Sequence, residues 1–560
     1  MGKRREATAF AVGLAAIVVA HWLVMSFYGN PEAPSLPYYT FRTLLRIAAT
    51  LGLSVAWGLS FGLLASTRRI ASIVLIPLVD VLQSVPILGY FPFIILFFIS
   101  LFHGGEIGVE LSAIFLLFTS MAWSIFFGVV GAVKGIPANV AEAARGFGLK
   151  GFGYMRHVVL PAIAPALVSG ATLAWCDGWF FMIAAEYVVY LGTAYSVPGL
   201  GSYLAKAAYV YKDLNLSAML LALITAMVLY INFLTWHRLM ERATGGTYKP
   251  ILRMGLSGLG KLKLRAAGPR WLRLGNRIHR PKSFILMPKW AKRYTGLERA
   301  VAALASFSLA LLTIYFAAGR IPSAEAFREA FSDPELLNLP LYIALTLGRL
   351  GIAYAISFSI ALGMGVLAAE NKKFASIFYP IYDVGQAVPI LALFPALFLS
   401  LSQSLGERLG LEIAAILILI LDMIWYMFLN IVGAVKNIPS EVREVGRLFG
   451  FKGLKRITHI IVPAILPAIV TGSILSWGTG WNTIIFAEYM PYEAGGPGGR
   501  PLALPGLGSY LDRAGYLPPP EGNPIRLLFL LGLMSAIVLA MEGLLWRRLL
   551  RKFERYRVEV

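Results

Sequence analysis

The residues whose types and spacing could do chemistry fall in one stretch that occurs twice. GAVKGIPANVAEAARGFGLKGFGYMRHVVLPA occupies 131–162, and GAVKNIPSEVREVGRLFGFKGLKRITHIIVPA occupies 433–464. Pro137 and Pro439 suit the first position of a helix, where a missing N–H leaves nothing unsatisfied. Glu142 with Arg145, and Glu444 with Arg447, are spaced i, i+3 and can pair on one helical face. Gly148 and Gly450 can end that helix in a left-handed conformation. Pro161 and Pro463 then lie near the start of the next apolar run. The stretch reads as a short surface helix exposing small residues, a knob for another protein's groove, so its chemistry is recognition. A single copy would be matched evenly by an ordinary amphipathic interfacial helix. Two copies at equivalent places favour the knob.

Catalytic chemistry is absent by the same reading. Cys176 is the single cysteine and lies inside an apolar run, so no intramolecular disulfide forms and no Cys/His cluster suggests a metal. No nucleophile is paired with a base. GLSGLGKL at 255–262 nearly matches a phosphate-cradling loop, but Leu262 stands where a hydroxyl should hold magnesium. No strand precedes it and no second acidic motif answers it. The expectation is a chain without a catalytic site, cofactor, metal or ATPase of its own.

The elements that position the repeated stretch are membrane spans. Of 560 residues 58% are hydrophobic and 14% charged, whereas soluble domains carry about a quarter charged residues. Continuous apolar runs of about 20 residues fit spanning helices better than the short alternating strands of a barrel. About twelve runs are visible, near 8–28, 42–66, 70–101, 109–133, 159–189, 216–237, 299–317, 341–368, 374–402, 411–434, 460–489 and 525–547. The 70–101 and 374–402 runs contain prolines and are expected to break into a span plus a shorter segment. The N-terminal run is too long for a typical signal-peptide core and no A-x-A site follows, so it reads as a first span.

Charge sets the orientation. The net charge is +21, and Arg238 to Arg299 holds sixteen basic residues against two acidic ones. A basic linker near anionic headgroups explains that excess better than a nucleic-acid site, for which no motif is present. Thr67-Arg68-Arg69, both repeated loops, Asn371-Lys372-Lys373 and the C-terminal tail are basic, while 103–110 and 332–338 are not. Multi-pass insertion with both termini cytoplasmic satisfies the positive-inside rule at every loop.

The halves are copies in one direction. TLLR ends at Arg46 and TLGR at Arg349. DVLQSVPIL begins at Asp80 and DVGQAVPIL at Asp383. PGLGSYL begins at Pro198 and again at Pro505. The expected organisation is a first repeat at 1–240 with its loop at 137–157, a linker at 241–296, and a second repeat at 297–560 with its loop at 439–459. Six spans per copy let both face the same way, with a pathway between them near the midplane. Gln83 and Gln386 beside Pro86 and Pro389, together with Asn482, are the candidate pathway residues; helix–helix hydrogen bonding is the competing role for the glutamines. Asp80 and Asp383 are expected to pair internally, because a charge there is costly. Glu186 and Glu488 fall late in their spans, so a mouth or structural role is expected. His157 and His459 read as interfacial anchors.

The repeated loop resembles the EAA motif of permeases in binding-protein-dependent ABC importers. Glu142, Ala143, Ala144 and Gly148 match it, with VVLP ending at Pro161. The second copy keeps Glu444, Gly450 and IIVP but has Val445 and Gly446 in place of the alanines. QSVPIL/QAVPIL, the Trp175/Trp179 and Trp477/Trp481 pairs, and AEY ending at Tyr187 and Tyr489 are similar to the nitrate/sulfonate/bicarbonate branch, in its duplicated form. The resemblance implies an all-α membrane protein of two parallel six-helix type I permease repeats in the cytoplasmic membrane. It also implies two ATP-binding cassette subunits docked on the loops, an external solute-binding protein, and one fused chain per transporter. A twelve-span ion-coupled secondary transporter is the rival from another class; an ion channel and a membrane-embedded enzyme fit less well. A fused iron or thiamine permease is the rival within the class.

Overall fold

The computed structural model describes residues 15, 17–26, 32–243 and 324–553, except 104, 191–192, 437, 491–501 and 518–521. The linker at 241–296 and the apolar run at 299–317 lie almost wholly outside these residues. A short apolar helix, α1 (Ile17–Ser26), comes first. The first repeat continues with α2 (Leu36–Thr67), α3 (Arg69–Ser84), α4 (Ile87–Leu101), α5 (Glu106–Lys134) and α6 (Ala138–Gly146). It closes with α7 (Gly151–Glu186), the hairpin β1 (Tyr187–Tyr190) and β2 (Thr193–Ser196), α8 (Leu200–Ala205) and α9 (Leu214–Trp236).

The second repeat opens on α10 (Ala324–Phe331) and then follows the same order. Its elements are α11 (Leu339–Glu370), α12 (Lys372–Ala387), α13 (Ile390–Leu405), α14 (Glu407–Lys436), α15 (Ser440–Leu448), α16 (Gly453–Glu488), β3 (Tyr489–Met490), β4 (Leu502–Ala503), α17 (Leu507–Tyr516) and α18 (Pro524–Phe553). Among the described residues, α2, α5, α7, α9, α11, α14, α16 and α18 are long and apolar enough to cross a membrane. The architecture is an all-α membrane protein of two helical repeats, with one small antiparallel hairpin added to each.

The prolines place the breaks. α3 stops at Ser84, Val85 and Pro86 are extended, and α4 begins at Ile87. The second repeat stops at Ala387 and restarts at Ile390 after Val388 and Pro389. A proline disfavours the helical conformation of the residue before it, which is why both breaks fall at Val-Pro.

In each repeat one central helix carries the packing: α5 lies against α2 and α7, and α14 against α11 and α16. Small residues let the backbones approach, as membrane helices require. A Cβ at Gly62 would lie 2.9 Å from Val129 Cγ1, and one at Gly365 would lie 2.8 Å from Ile431 Cγ2. Trp175 packs on Trp236 with centroids 6.1 Å apart, and Trp477 on Trp546 at 6.2 Å, so each repeat latches its last span with an aromatic pair.

The repeats interlock reciprocally. α3 and α4 of the first pack on α16, α17 and α18 of the second, while α12 and α13 of the second pack on α7 and α9 of the first. The broken segments therefore line the seam between the copies.

Candidate functional site

The repeated stretch forms the expected short helix twice. Pro137 sits one residue before α6, with ψ at 143°, so it is the cap rather than the first helical residue; Pro439 likewise precedes α15. Gly148 and Gly450 have φ of 75° and 68°, the left-handed region that glycine enters without strain. The Leu149 N–H donates to the Ala144 carbonyl at 3.0 Å and the Gly148 N–H to Arg145 at 2.9 Å. This Schellman closure ends the helix. The Phe451 N–H donates to the Gly446 carbonyl at 2.9 Å in the second copy.

The three motif positions do different things. Glu142 and Ala143 are exposed, as are Glu444 and Val445; Ala144 and Gly446 are buried. The third position is therefore the anchor and must be small. A Cβ at Gly446 would come within 3.0 Å of Ile460 Cγ1, so the second copy's glycine answers a tighter approach to α16. The exposed faces continue onto bulky apolar residues: Phe147 and Phe152 in the first copy, Leu448, Phe449 and Leu454 in the second.

The expected pairing of Glu142 with Arg145 does not form. Both side chains are exposed, and water competes with surface pairs whose worth is small. Arg447 lies in α15.

The copies also differ in bracing. Arg443 of α15 donates to Glu370 at 2.9 Å, and Arg456 pairs with the same carboxylate at 2.8 Å. Thr67, Ala141 and Tyr154 hold the equivalent positions in the first repeat. The second short helix is thus tied to the end of α11, and the first lacks that tie.

A second duplicated constellation lies at the opposite ends of the spans. Arg46 of α2 donates through Nε and Nη2 to Glu110 of α5, each at 2.8 Å, and through Nη1 to Glu186 at the end of α7. The other Glu186 oxygen accepts the backbone N–H of Gly201 at 2.7 Å, and Thr43 Oγ1 donates to Glu186 at 2.7 Å. Arg349 bonds Glu412 at 2.8 and 2.7 Å and Glu488 at 2.8 Å. Gly508 N–H and Thr346 Oγ1 complete the copy at 2.8 and 2.7 Å.

Glu186 and Glu488 are buried at 1% and 0% exposure, so each charge is neutralised and bonded inside the protein. The guanidinium is bidentate on one carboxylate, the strongest arrangement such a pair can take. A Cβ at Gly199 or Gly506 would collide with the carboxylate, which accounts for the glycines of PGLG. The TLxR, AEY and PGLGSYL markers thus meet in one clamp joining α2, α5, α7 and α8, and its equivalent in the second repeat. The sequence reading missed Glu110 and Glu412; the available signal was a glutamate recurring at an offset of 302 inside the apolar run.

The candidate pathway residues gather at the breaks. Gln83 lies exposed in the last turn of α3, and Gln386 half-buried in the last turn of α12; Pro86 and Pro389 are buried. Asp80 and Asp383 belong to the same helix ends, and their side chains lie outside the described set. Asn482 of α16 reaches across the seam: its Oδ1 accepts the Ile87 N–H at 3.1 Å. The backbone donor freed by Pro86 is satisfied by the other repeat. Phe180 holds the equivalent position in the first repeat.

Residues 54–245 and 361–553 each match the family described as binding-protein-dependent transport system inner membrane component. A Bacillus subtilis protein named as an aliphatic sulfonates transport permease, SsuC, is 25% identical over 169 residues, 30% of this chain and 58% of that one. The bicarbonate transport system permease protein CmpB of Synechococcus elongatus is 24% identical over 216 residues, 36% of this chain and 75% of its own. The nitrate import permease protein NrtB of Leptolyngbya laminosa is 26% identical over 148 residues, 26% of this chain and 50% of its own. The chain thus spans between half and three quarters of these three relatives. The match occurs once in each repeat and together takes in more than half of the chain, which therefore belongs to the family of binding-protein-dependent transport inner membrane components, in a duplicated form akin to the anion-transporting permeases.

Proposed function

We propose that this permease receives two ATP-binding cassette subunits, one on α6 and one on α15, and moves a small solute by alternating access between its repeats. The observation that carries the reading is the pair of short helices, each capped by proline and closed by a left-handed glycine, with an exposed Glu and bulky apolar residues beside it. Glu142 and Glu444, with Arg145, face the partner. Ala144 and Gly446 seat the helices on the spans. Closure of the partners pushes both helices, and the interlocked halves convert that push into opening at one end of the seam and closing at the other.

Further parts of the reading rest on charge and repetition. Both termini and the basic linker lie on the cytoplasmic side, about twelve spans cross the cytoplasmic membrane, and one fused chain makes one transporter. The repeats divide at the linker, near 240 and 297. An external binding protein delivers the solute. The named solutes of the relatives point to a small oxyanion such as sulfonate, bicarbonate or nitrate. Gln83, Pro86, Gln386, Pro389 and Asn482 border its route, with neutral donors suited to oxyanion oxygens.

Replacing Glu142 and Glu444 together by Arg tests the docking role. The expected result is loss of ATP-dependent uptake with the chain still inserted and monodisperse. Unchanged uptake with intact assembly would remove the role.

A further inference from the structure

The spans that follow the two short helices do not begin as ordinary α-helices. In α7 the Leu160 N–H donates to the Met155 carbonyl, five residues back, so Met155–Val159 form one widened turn. In α16 the Val462 N–H donates to the Ile457 carbonyl in the same way, and Ile457–Ile461 are widened. The prolines that follow account for the position. Pro161 and Pro463 have no N–H, and their rings crowd the carbonyls four residues back, at His157 and His459. The turn before each proline opens and relieves that crowding. Widened turns are rare and recur at functional positions. These two occupy equivalent places in the two repeats.

The link from each short helix to its widened turn is also built twice. Lys150 is extended at φ −129° and ψ 159°, and Lys452 at φ −125° and ψ 157°. Gly151 and Gly453 then take φ of 51° and 52°, the left-handed region open to glycine. In the second repeat this link returns α15 onto the widened turn itself. A Cβ at Gly446 would lie 3.0 Å from Cγ1 and 3.2 Å from Cδ1 of Ile460. A push on α15 therefore lands on the turn that has a residue to spare. Such a turn can tighten or pass its extra residue along, which a regular α-turn cannot do. Ala144, buried, and Val158 hold the equivalent positions in the first repeat.

The two copies differ in what holds the joint. Arg456, the residue just before the widened turn of α16, pairs with Glu370 at the end of α11 at 2.8 Å. Arg443 of α15 pairs with the same carboxylate at 2.9 Å. The short helix and the start of its span are thus both tied to α11, one on each side of the joint. Tyr154, Ala141 and Thr67 stand at the equivalent positions of the first repeat. Thr67 Oγ1 donates to its own helix, at the Leu63 carbonyl, and Ala141 carries no polar group.

We infer that the widened turns are the joints on which the short helices are mounted, and that the two joints are set differently. The first lets α6 move relative to its own repeat. The second is locked, so that α15, α11 and α16 move as one piece. The use of the joints in transport rests on the proposed docking of ATP-binding subunits on α6 and α15.

Spin-label distances within each repeat test the joints in the full chain, in lipid nanodiscs and without any ATPase subunit. One pair is Asn139→Cys in α6 with Leu64→Cys in α2; its equivalent is Glu441→Cys in α15 with Leu367→Cys in α11, both in a Cys176→Ser background. All four labelled positions are exposed. The first pair is expected to give the broader distance distribution, and Glu370→Gln to broaden the second towards it. Pro161 is exposed, so Pro161→Ala removes no core contact while restoring an N–H opposite the His157 carbonyl. It should narrow the first distribution and slow hydrogen exchange at 156–160 about fivefold, the weight of one added hydrogen bond. Equal widths for the two wild-type pairs, a second distribution unmoved by Glu370→Gln, or a first distribution unmoved by Pro161→Ala would overturn the inference. Failure of ATPase docking alters none of these readings, so the two failures are told apart.

Discussion

At the scale of single residues, the clamp shows how a charge is kept inside a membrane protein. Arg46 meets two carboxylates and a carbonyl inside the protein. Removing one partner of such a buried pair leaves an uncompensated charge and costs about 3–5 kcal/mol. Arg46→Ala is therefore expected to lower the unfolding midpoint of the purified chain sharply, and Arg349→Ala to do the same. Gly199→Ala should destabilise by about 1–3 kcal/mol, because overpacking displaces Glu186; Gly348→Ala, whose added Cβ meets nothing within 4 Å, should not. An unfolding series in detergent separates these outcomes. The clamp was half legible in the sequence. Its markers stand out as repeats, but the bond from Arg46 to Glu186 closes over 140 residues, and spacing along a chain does not encode such a contact.

At the scale of elements, local chemistry was read well wherever it is local. The Val-Pro breaks, the capping prolines and the left-handed glycines follow from backbone sterics within a few residues. The Glu142–Arg145 pair failed because solvent competition is not a property of spacing. Why α15 is braced and α6 is not was likewise hidden, since Glu370, Arg443 and Arg456 meet only in the fold. That brace predicts unequal transmission. Glu370→Gln should reduce ATP-dependent uptake by roughly 2–5-fold, the scale of a partly exposed ion pair, with ATPase subunits still bound. Thr67→Gln at the equivalent place in the first repeat should leave uptake unchanged. Uptake by reconstituted vesicles checks both.

At the scale of the whole molecule, the fold makes the two repeats mutually dependent. α4 is capped by Asn482 from the other copy, and α13 lies against α7. Two such copies in one chain present two short helices of the same hand, close in design yet different at Ala143 and Val445, and at Ala144 and Gly446. In the function we propose, each of these helices holds one ATP-binding subunit. Native mass spectrometry of the complex, purified through a tag on this chain, counts those subunits directly. The expected count is two per chain for the wild type, one when either Glu142→Arg or Glu444→Arg is present, and none when both are. Two subunits retained on the double variant, or a wild-type complex holding none, would contradict it.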